Sequence, residues 1–212
     1  MTDPSIDLEP KNKPRQKRAI ETYERVLDVA ARLLEDEGVE RISTNLIAEK
    51  ADVTPPTLYR YFPNKYAVLR ALGDRLMQEQ NEVFERFLTD AGDSIEAQID
   101  GTYENLMETL RVTEQHPGGL SIMRALRAVP TLQQVRLASH HQVTDEWVEH
   151  LSTLLPNIPK PELWIKARLT VDIGYAAIEM AMEEQELASE TVLREATTAI
   201  TAYWQQIISN SK

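Results

Sequence analysis

Apolar residues recur along this chain at steps of three and four, with no sustained alternation of apolar and polar positions. That periodicity predicts an all-α protein of about nine helices. Ile20, Tyr23, Val26, Leu27, Ala30, Leu33 and Leu34 form the stripe of a first helix, which Gly38 is placed to end as a C-terminal cap. Two short helices follow near 44–50 and 55–61. A long fourth helix starts after Pro63-Asn64 and carries Val68, Leu69, Leu72, Leu76, Val83, Phe84 and Phe87, enough to join two domains. Asp93 with Glu96 reads as an acidic capping box before a fifth helix bearing Ile95, Ile99, Tyr103, Leu106 and Leu110, and His116-Pro117-Gly118-Gly119 breaks it. After a short sixth helix, Thr131 with Gln134 caps a seventh that runs to about Leu155. Pro156, Pro159 and Pro161 lead into an eighth over 161–186, and Ser189 opens the ninth.

The eighth helix is apolar on two sides. Leu163, Ala167, Val171, Tyr175, Ile178 and Met182 lie on one, and Ile165, Leu169, Ile173, Ala176 and Met180 on another, more than a single core absorbs. The ninth repeats Leu193, Ala196, Ile200, Tyr203 and Ile207 at the spacing of a packing seam, which Val192, Ala199, Trp204 and Ile208 widen. These two helices are therefore expected to form a homodimer interface, with Gly174, Ile200, Tyr203, Trp204 and Ile207 in it and Gly174 allowing close approach.

Composition narrows the classes. The 212 residues allow one large core or a small domain joined to a larger one. The absence of cysteine excludes disulfide frameworks, zinc fingers and thiol nucleophiles. The opening MTDPSIDLEP is not a secretory signal, and no apolar run reaches the roughly 20 residues of a membrane span, so a cytoplasmic protein without membrane partners is expected. The net charge of -11 is unevenly placed: residues 1–70 hold 12 Lys and Arg against 12 Asp and Glu, which leaves 11 against 22 for the rest. Lys11, Lys13, Arg15, Lys17 and Arg18 make a run of five cations without an acid, and residues 1–18 are expected to be a flexible basic arm suited to phosphates.

The segment 43–62 carries the most specific pattern. Ser43 is placed to cap the first short helix, Leu46, Ile47 and Ala51 to bury its inner face, and Val53 to close a corner. Thr54 then caps a second helix with Pro55 at its first position. Ala48 is small enough for the two helices to pack closely, and Leu58 and Phe62, four apart, anchor the second from within. This is a helix-turn-helix. Its outer face offers Thr54, Pro55, Pro56, Thr57, Tyr59, Arg60 and Tyr61. Such a second helix enters the major groove by its N-terminal end, which puts Thr54 to Thr57 nearest base edges and leaves Tyr59, Tyr61 and Lys65 near phosphates. A dimer would present two such helices about 34 Å apart to a palindrome.

Here the sequence resembles the TetR/AcrR family of repressors. The resemblance covers 18–72 and rests on Arg18-Ala19-Ile20, Gly38, Ser43-Thr44, Ile47-Ala48, Ala51, Val53-Thr54 and above all Thr57-Leu58-Tyr59-Arg60-Tyr61-Phe62-Pro63-Asn64-Lys65. It implies that Thr44, Thr54, Pro55, Pro56, Thr57, Tyr59, Arg60, Tyr61 and Lys65 meet operator DNA. It also implies a helix-turn-helix domain over 19–64 and a larger helical ligand-binding and dimerisation domain over 65–212. Two positions depart from the family. Asp52 stands where Gly is usual, a left-handed position that Asp tolerates, and Pro55-Pro56 removes two backbone donors from the base-reading end, shifting readout toward methyl contacts, shape and Thr57.

The resemblance further implies an organic effector whose binding lowers DNA affinity. Soft and aromatic side chains suited to it stand among the fifth to eighth helices, at Tyr103, Met107, Met123, Trp147 and Tyr175. The acidic balance of 71–212 would suit a lipophilic cation, although surface acid does not make a buried counter-ion, and Asp172 has Arg168 four residues earlier as a partner. His116, His140, His141 and His150 do not converge with a third ligand by local spacing and read as exposed polar positions. No metal, cofactor or catalytic residue is expected, since nucleophile, phosphate-loop and dinucleotide motifs are absent and the chain does not read as an enzyme. The alternatives are a helical DNA-binding regulator without small-molecule induction and a structural adaptor that does not bind DNA.

Overall fold

A computed structural model describes residues 8, 11 and 14–211. Lys13, with most of the expected basic arm, lies outside the described residues. Among those described the chain is helical throughout, with no strand: α1 Lys17–Arg41, α2 Thr44–Lys50, α3 Pro55–Tyr61, α4 Lys65–Ala91, α5 Ile95–Asp100, α6 Thr102–Gln115, α7 Gly119–Ala128, α8 Gln133–Leu154, α9 Lys160–Glu183 and α10 Ser189–Asn210. A 3-10 turn, Pro130–Leu132, precedes α8. The tenth helix arises because the expected fifth is interrupted at Gly101, which caps α5. Ser94, not Asp93, caps α5, its hydroxyl accepting from Ala97 N at 3.1 Å. Thr131 likewise lies inside the 3-10 turn rather than capping α8. Gly38 kinks α1 rather than ending it, at φ 75 and ψ 168, a region only glycine occupies without strain. Lys17 and Arg18 belong to the first turn of α1, and Ile20 is exposed.

The chain divides into two compact units, one of residues 1–77 with 114–136 and one of 78–113 with 137–212. The expected 65–212 domain thus contributes the start of α4 and all of α7 to the first unit. Small residues explain this. Gly118, at φ 68, brings the chain so near α1 that a Cβ there would lie 2.7 Å from Ala31 O, and a Cβ at Gly73 on α4 would lie 2.6 Å from Leu126 Cδ2 on α7. The core of this unit gathers Val26, Leu27, Ala30, Ile47, Leu58, Phe62, Leu69 and Leu72, all fully buried. Arg75 fastens α4 to α1 through Glu24 at 3.2 Å and Asp28 at 3.1 Å.

In the second unit α9 packs against α10. Aromatic rings fill its centre: Phe84 meets Trp147 at 5.6 Å and Trp147 meets Trp204 at 5.1 Å between centroids. Two buried polar pairs lie there, Ser139 Oγ donating to Asn81 Oδ1 at 2.8 Å and Gln80 Nε2 to Thr113 Oγ1 at 2.7 Å. Two of the four histidines are buried, contrary to expectation. His140 stacks on Tyr175 at 4.2 Å with Nδ1 3.1 Å from Asp172, and His116 is 5% exposed. Asp172 also takes Arg168 at 2.8 Å, the pairing their spacing predicts. Among the described residues no three potential ligands gather to hold a metal, and no helix is long and apolar enough to cross a membrane.

Candidate functional site

The helix-turn-helix is built from caps and one strained residue. Ser43 Oγ accepts from Leu46 N at 3.2 Å and starts α2, and Thr54 Oγ1 accepts from Thr57 N at 3.4 Å and starts α3, with Pro55 and Pro56 in its first turn. Between the helices Asp52 takes φ 51, the left-handed turn expected of it, and Val53 N closes the corner on Ala48 O at 3.0 Å. Ala48 and Ala51 are each 1% exposed, small side chains packed inside the corner of the two helices.

These constraints bring most of the sequence-predicted DNA residues to one face. Thr44 Oγ1 and Tyr59 OH lie 3.0 Å apart, joining the start of α2 to α3, and Thr54 and Thr57 hydroxyls lie 2.9 Å apart. Pro55, Pro56 and Arg60 are exposed, and Tyr59 is 41% exposed. Two residues are placed otherwise. Tyr61 is buried, its ring edge-on to Tyr23 at 5.7 Å, because it falls on the inner side of α3 beside Phe62, which itself stacks on Tyr23 at 4.9 Å. Burial first, then Glu24 and Asp74, push the Tyr23 phenol above its ordinary range, against Arg75. Lys65 Nζ donates to Val39 O at 2.9 Å, occupied with a carbonyl that the last turn of α1 leaves open. Sequence reasoning did not anticipate that Lys11 N donates to Tyr61 O at 2.9 Å, which fixes part of the basic segment beside the end of α3.

The second unit holds a cavity of about 80 Å³, against the roughly 10–15 Å³ that one water needs. Its walls come from 80–87 of α4 and from α5, α6, α8, α9 and α10. Of the expected effector residues, Trp147 and Tyr175 line it. Tyr103, Met107 and Met123 do not: Tyr103 lies under the Arg194 guanidinium at 4.4 Å, and Met123 belongs to the first unit. Burial pushes the Tyr175 phenol well above its ordinary value, so it is neutral. Both cavity indoles are satisfied, Trp147 Nε1 by Gln98 Oε1 at 2.9 Å and Trp204 Nε1 by Thr170 Oγ1 at 3.0 Å.

Residues expected at the dimer interface turn inward. Gly174, Ile200 and Trp204 line the cavity, Ile207 is buried and Tyr203 half-buried. Gly174 does permit a close approach, but to Leu106 of α6, 3.1 Å from where a Cβ would stand. The other apolar side of α9 stays uncovered, with Ile165 66%, Leu169 48% and Met180 46% exposed.

A helix-turn-helix with a hydroxyl-rich outer face, accompanied by a helical unit enclosing an apolar cavity, defines the class of two-unit helical regulators. The sequence comparisons make it definite. The family described as bacterial regulatory proteins, tetR family, matches residues 26–72, and that described as tetracyclin repressor-like, C-terminal domain, matches 104–203. The chain belongs to the TetR family. It is 32% identical over 87 residues to the A-factor receptor protein of Streptomyces griseus, 41% of this chain and 29% of that one. To the HTH-type transcriptional regulator EthR of Mycobacterium tuberculosis it is 35% identical over 69 residues, 32% of each chain. The chain thus spans about a third of the length of the curated relatives it matches. The fold is shared more widely. A TetR-family transcriptional regulator from Streptomyces coelicolor aligns with TM-score 0.62 at 24% identity, covering 87% of this chain and 98% of that one. SmeT, the repressor of the Stenotrophomonas maltophilia multidrug efflux pump SmeDEF, aligns with TM-score 0.67 at 20% identity, covering 85% and 88%.

Proposed function

We propose that the protein is a cytoplasmic, ligand-responsive transcriptional repressor, not an enzyme, that holds palindromic operator DNA as a homodimer and releases it when a small organic effector binds. The observation that carries this is the outer face of α2 and α3, where Thr44, Thr54, Thr57 and Tyr59 present hydroxyls beside exposed Pro55, Pro56 and Arg60. Hydroxyls of this kind serve both phosphates and base edges. The cations support the same reading. Lys17 and Arg18 stand in the first turn of α1, where the helix dipole disfavours positive charge by roughly 0.3–1 kcal/mol, a cost that a bound phosphate offsets.

On this reading residues 19–64 are the DNA-binding domain, and 65–212 carry effector binding and dimerisation. The uncovered side of α9, Ile165, Leu169, Ile173, Ala176 and Met180, replaces the seam on α10 as the dimer surface. Effector binding acts by favouring a spacing of the two recognition helices that does not fit DNA, and a tenfold loss of operator affinity needs about 1.4 kcal/mol of such coupling. α4 begins in the unit that holds the helix-turn-helix and ends in the unit that holds the cavity, which makes it the proposed lever. The test is a gel shift with the DNA upstream of the protein's own gene, repeated across salt. Specific retardation that weakens steeply with salt is expected. Equal affinity for that DNA and for an unrelated duplex would overturn the reading.

A further inference from the structure

The cavity is unlike the rest of this acidic chain. No Asp, Glu, Lys, Arg or His lies among its lining residues, so a charged ligand would enter without a counter-ion, at a cost of several kcal/mol by desolvation. Its threonine hydroxyls are committed to backbone carbonyls four residues earlier: Thr102 Oγ1 donates to Gln98 O at 3.1 Å, Thr109 Oγ1 to Asn105 O at 2.8 Å and Thr170 Oγ1 to Lys166 O at 2.9 Å.

Gln98 is different. It is 2% exposed, and its orientation is fixed chemically: indole N–H only donates, so the carboxamide oxygen must face Trp147 Nε1. The amide nitrogen, Nε2, is then left buried in the cavity wall with no acceptor. Asn105 lines the same cavity, and its Oδ1 is buried without a donor. A buried donor left unmatched is destabilising, and a ligand that supplies the acceptor relieves it.

We propose that the effector is an uncharged, largely apolar molecule bearing an amide or lactam, whose carbonyl accepts from Gln98 Nε2 and whose N–H donates to Asn105 Oδ1. The apolar remainder packs on Phe84, Trp147 and Trp204. This rests on the effector reading of the cavity and deepens it: the lipophilic cation that net charge would suggest is disfavoured, because the acid does not line the cavity.

The test uses probes of matched length, octanamide, octanoate and octylamine, titrated calorimetrically into the full chain at neutral pH. Octanamide is expected to bind at least about tenfold more tightly than either ion. In Gln98→Met octanamide should lose about five- to tenfold, the worth of one neutral hydrogen bond, while ethylbenzene, which asks for none, keeps its affinity. Octanoate or octylamine binding as tightly as octanamide overturns the proposal, as does failure of octanamide to bind or an unchanged affinity in the variant. Should Gln98→Met not fold, the ranking in the unaltered protein decides alone. Operator release is measured separately. If the cavity selects octanamide yet operator affinity is unchanged, the effector reading falls and the ligand class stands. If octylamine or octanoate releases operator and octanamide does not, the effector reading stands and the ligand class falls.

Discussion

Leu169→Glu should dissociate the dimer. Ile165, Leu169 and Met180 together leave uncovered about one and a half side chains' worth of apolar surface per protomer, which at roughly 1.5–3 kcal/mol for a full side chain amounts to about 3 kcal/mol when covered. Leu169 sits in the middle of that stripe and supplies about a third of it. Removing it from both copies costs about 2 kcal/mol, and setting an unpaired carboxylate against an apolar partner adds more. A total of at least about 3 kcal/mol weakens the dimer more than about a hundredfold. Light scattering across a dilution series should find the unaltered protein dimeric at micromolar concentration and Leu169→Glu monomeric there. Ile200→Ala should lower thermal stability and leave the dimer intact, because Ile200 is 3% exposed and faces the cavity. A single-chain mass for the unaltered protein, or equal dissociation by Leu169→Glu and wild type, would refute the assignment of this face.

Two further outcomes are expected. Tyr59→Phe, which deletes the hydroxyl beside Thr44, should weaken operator binding severalfold, whereas Tyr61→Phe should change it little because that ring is buried; fluorescence anisotropy with labelled operator would expose the error if the two variants behaved alike. Burial and the neighbouring carboxylates raise the Tyr23 phenol in the folded state, so the unfolded chain loses this proton first. Its contribution is full below about pH 10 and declines as pH rises above it, and urea unfolding of Tyr23→Phe against wild type should show the variant gaining relative stability between about pH 9 and pH 11; parallel curves would contradict this.

The DNA-binding end was legible because its determinants are local. Ser43 and Thr54 act on backbone three residues away, Asp52 turns its own backbone, and Ala48 faces Val53 across the corner they form. Tyr61 is harder to place for a related reason: on a helix of seven residues the inner face is narrow, and the Tyr23 ring it packs against lies nearly forty positions earlier. The effector cavity depends on six helices meeting, so composition could find Trp147 and Tyr175 but not their company. Gln98 did leave a signal. It lies beside the apolar stripe of Ile95, Ile99 and Leu106, a polar residue where burial is expected, and such a residue needs a partner inside.

The two sides of α9 show how far amphipathicity reaches. Their periodicity establishes that both are apolar but not which partner each takes, since a helix of the same chain and a helix of another copy present the same kind of surface. α10 packs on α9, and its Trp204 lines the cavity together with Val171, Gly174 and Ile178 of α9. Ile165, Leu169 and Met180 are left on the opposite side. Under the proposed function this gives α9 two occupants, effector on one side and partner protomer on the other, separated by one helix diameter. An effector that moves α9 must then disturb the dimer surface directly, so dimer affinity and effector affinity should be thermodynamically linked, each changing the other by the same factor.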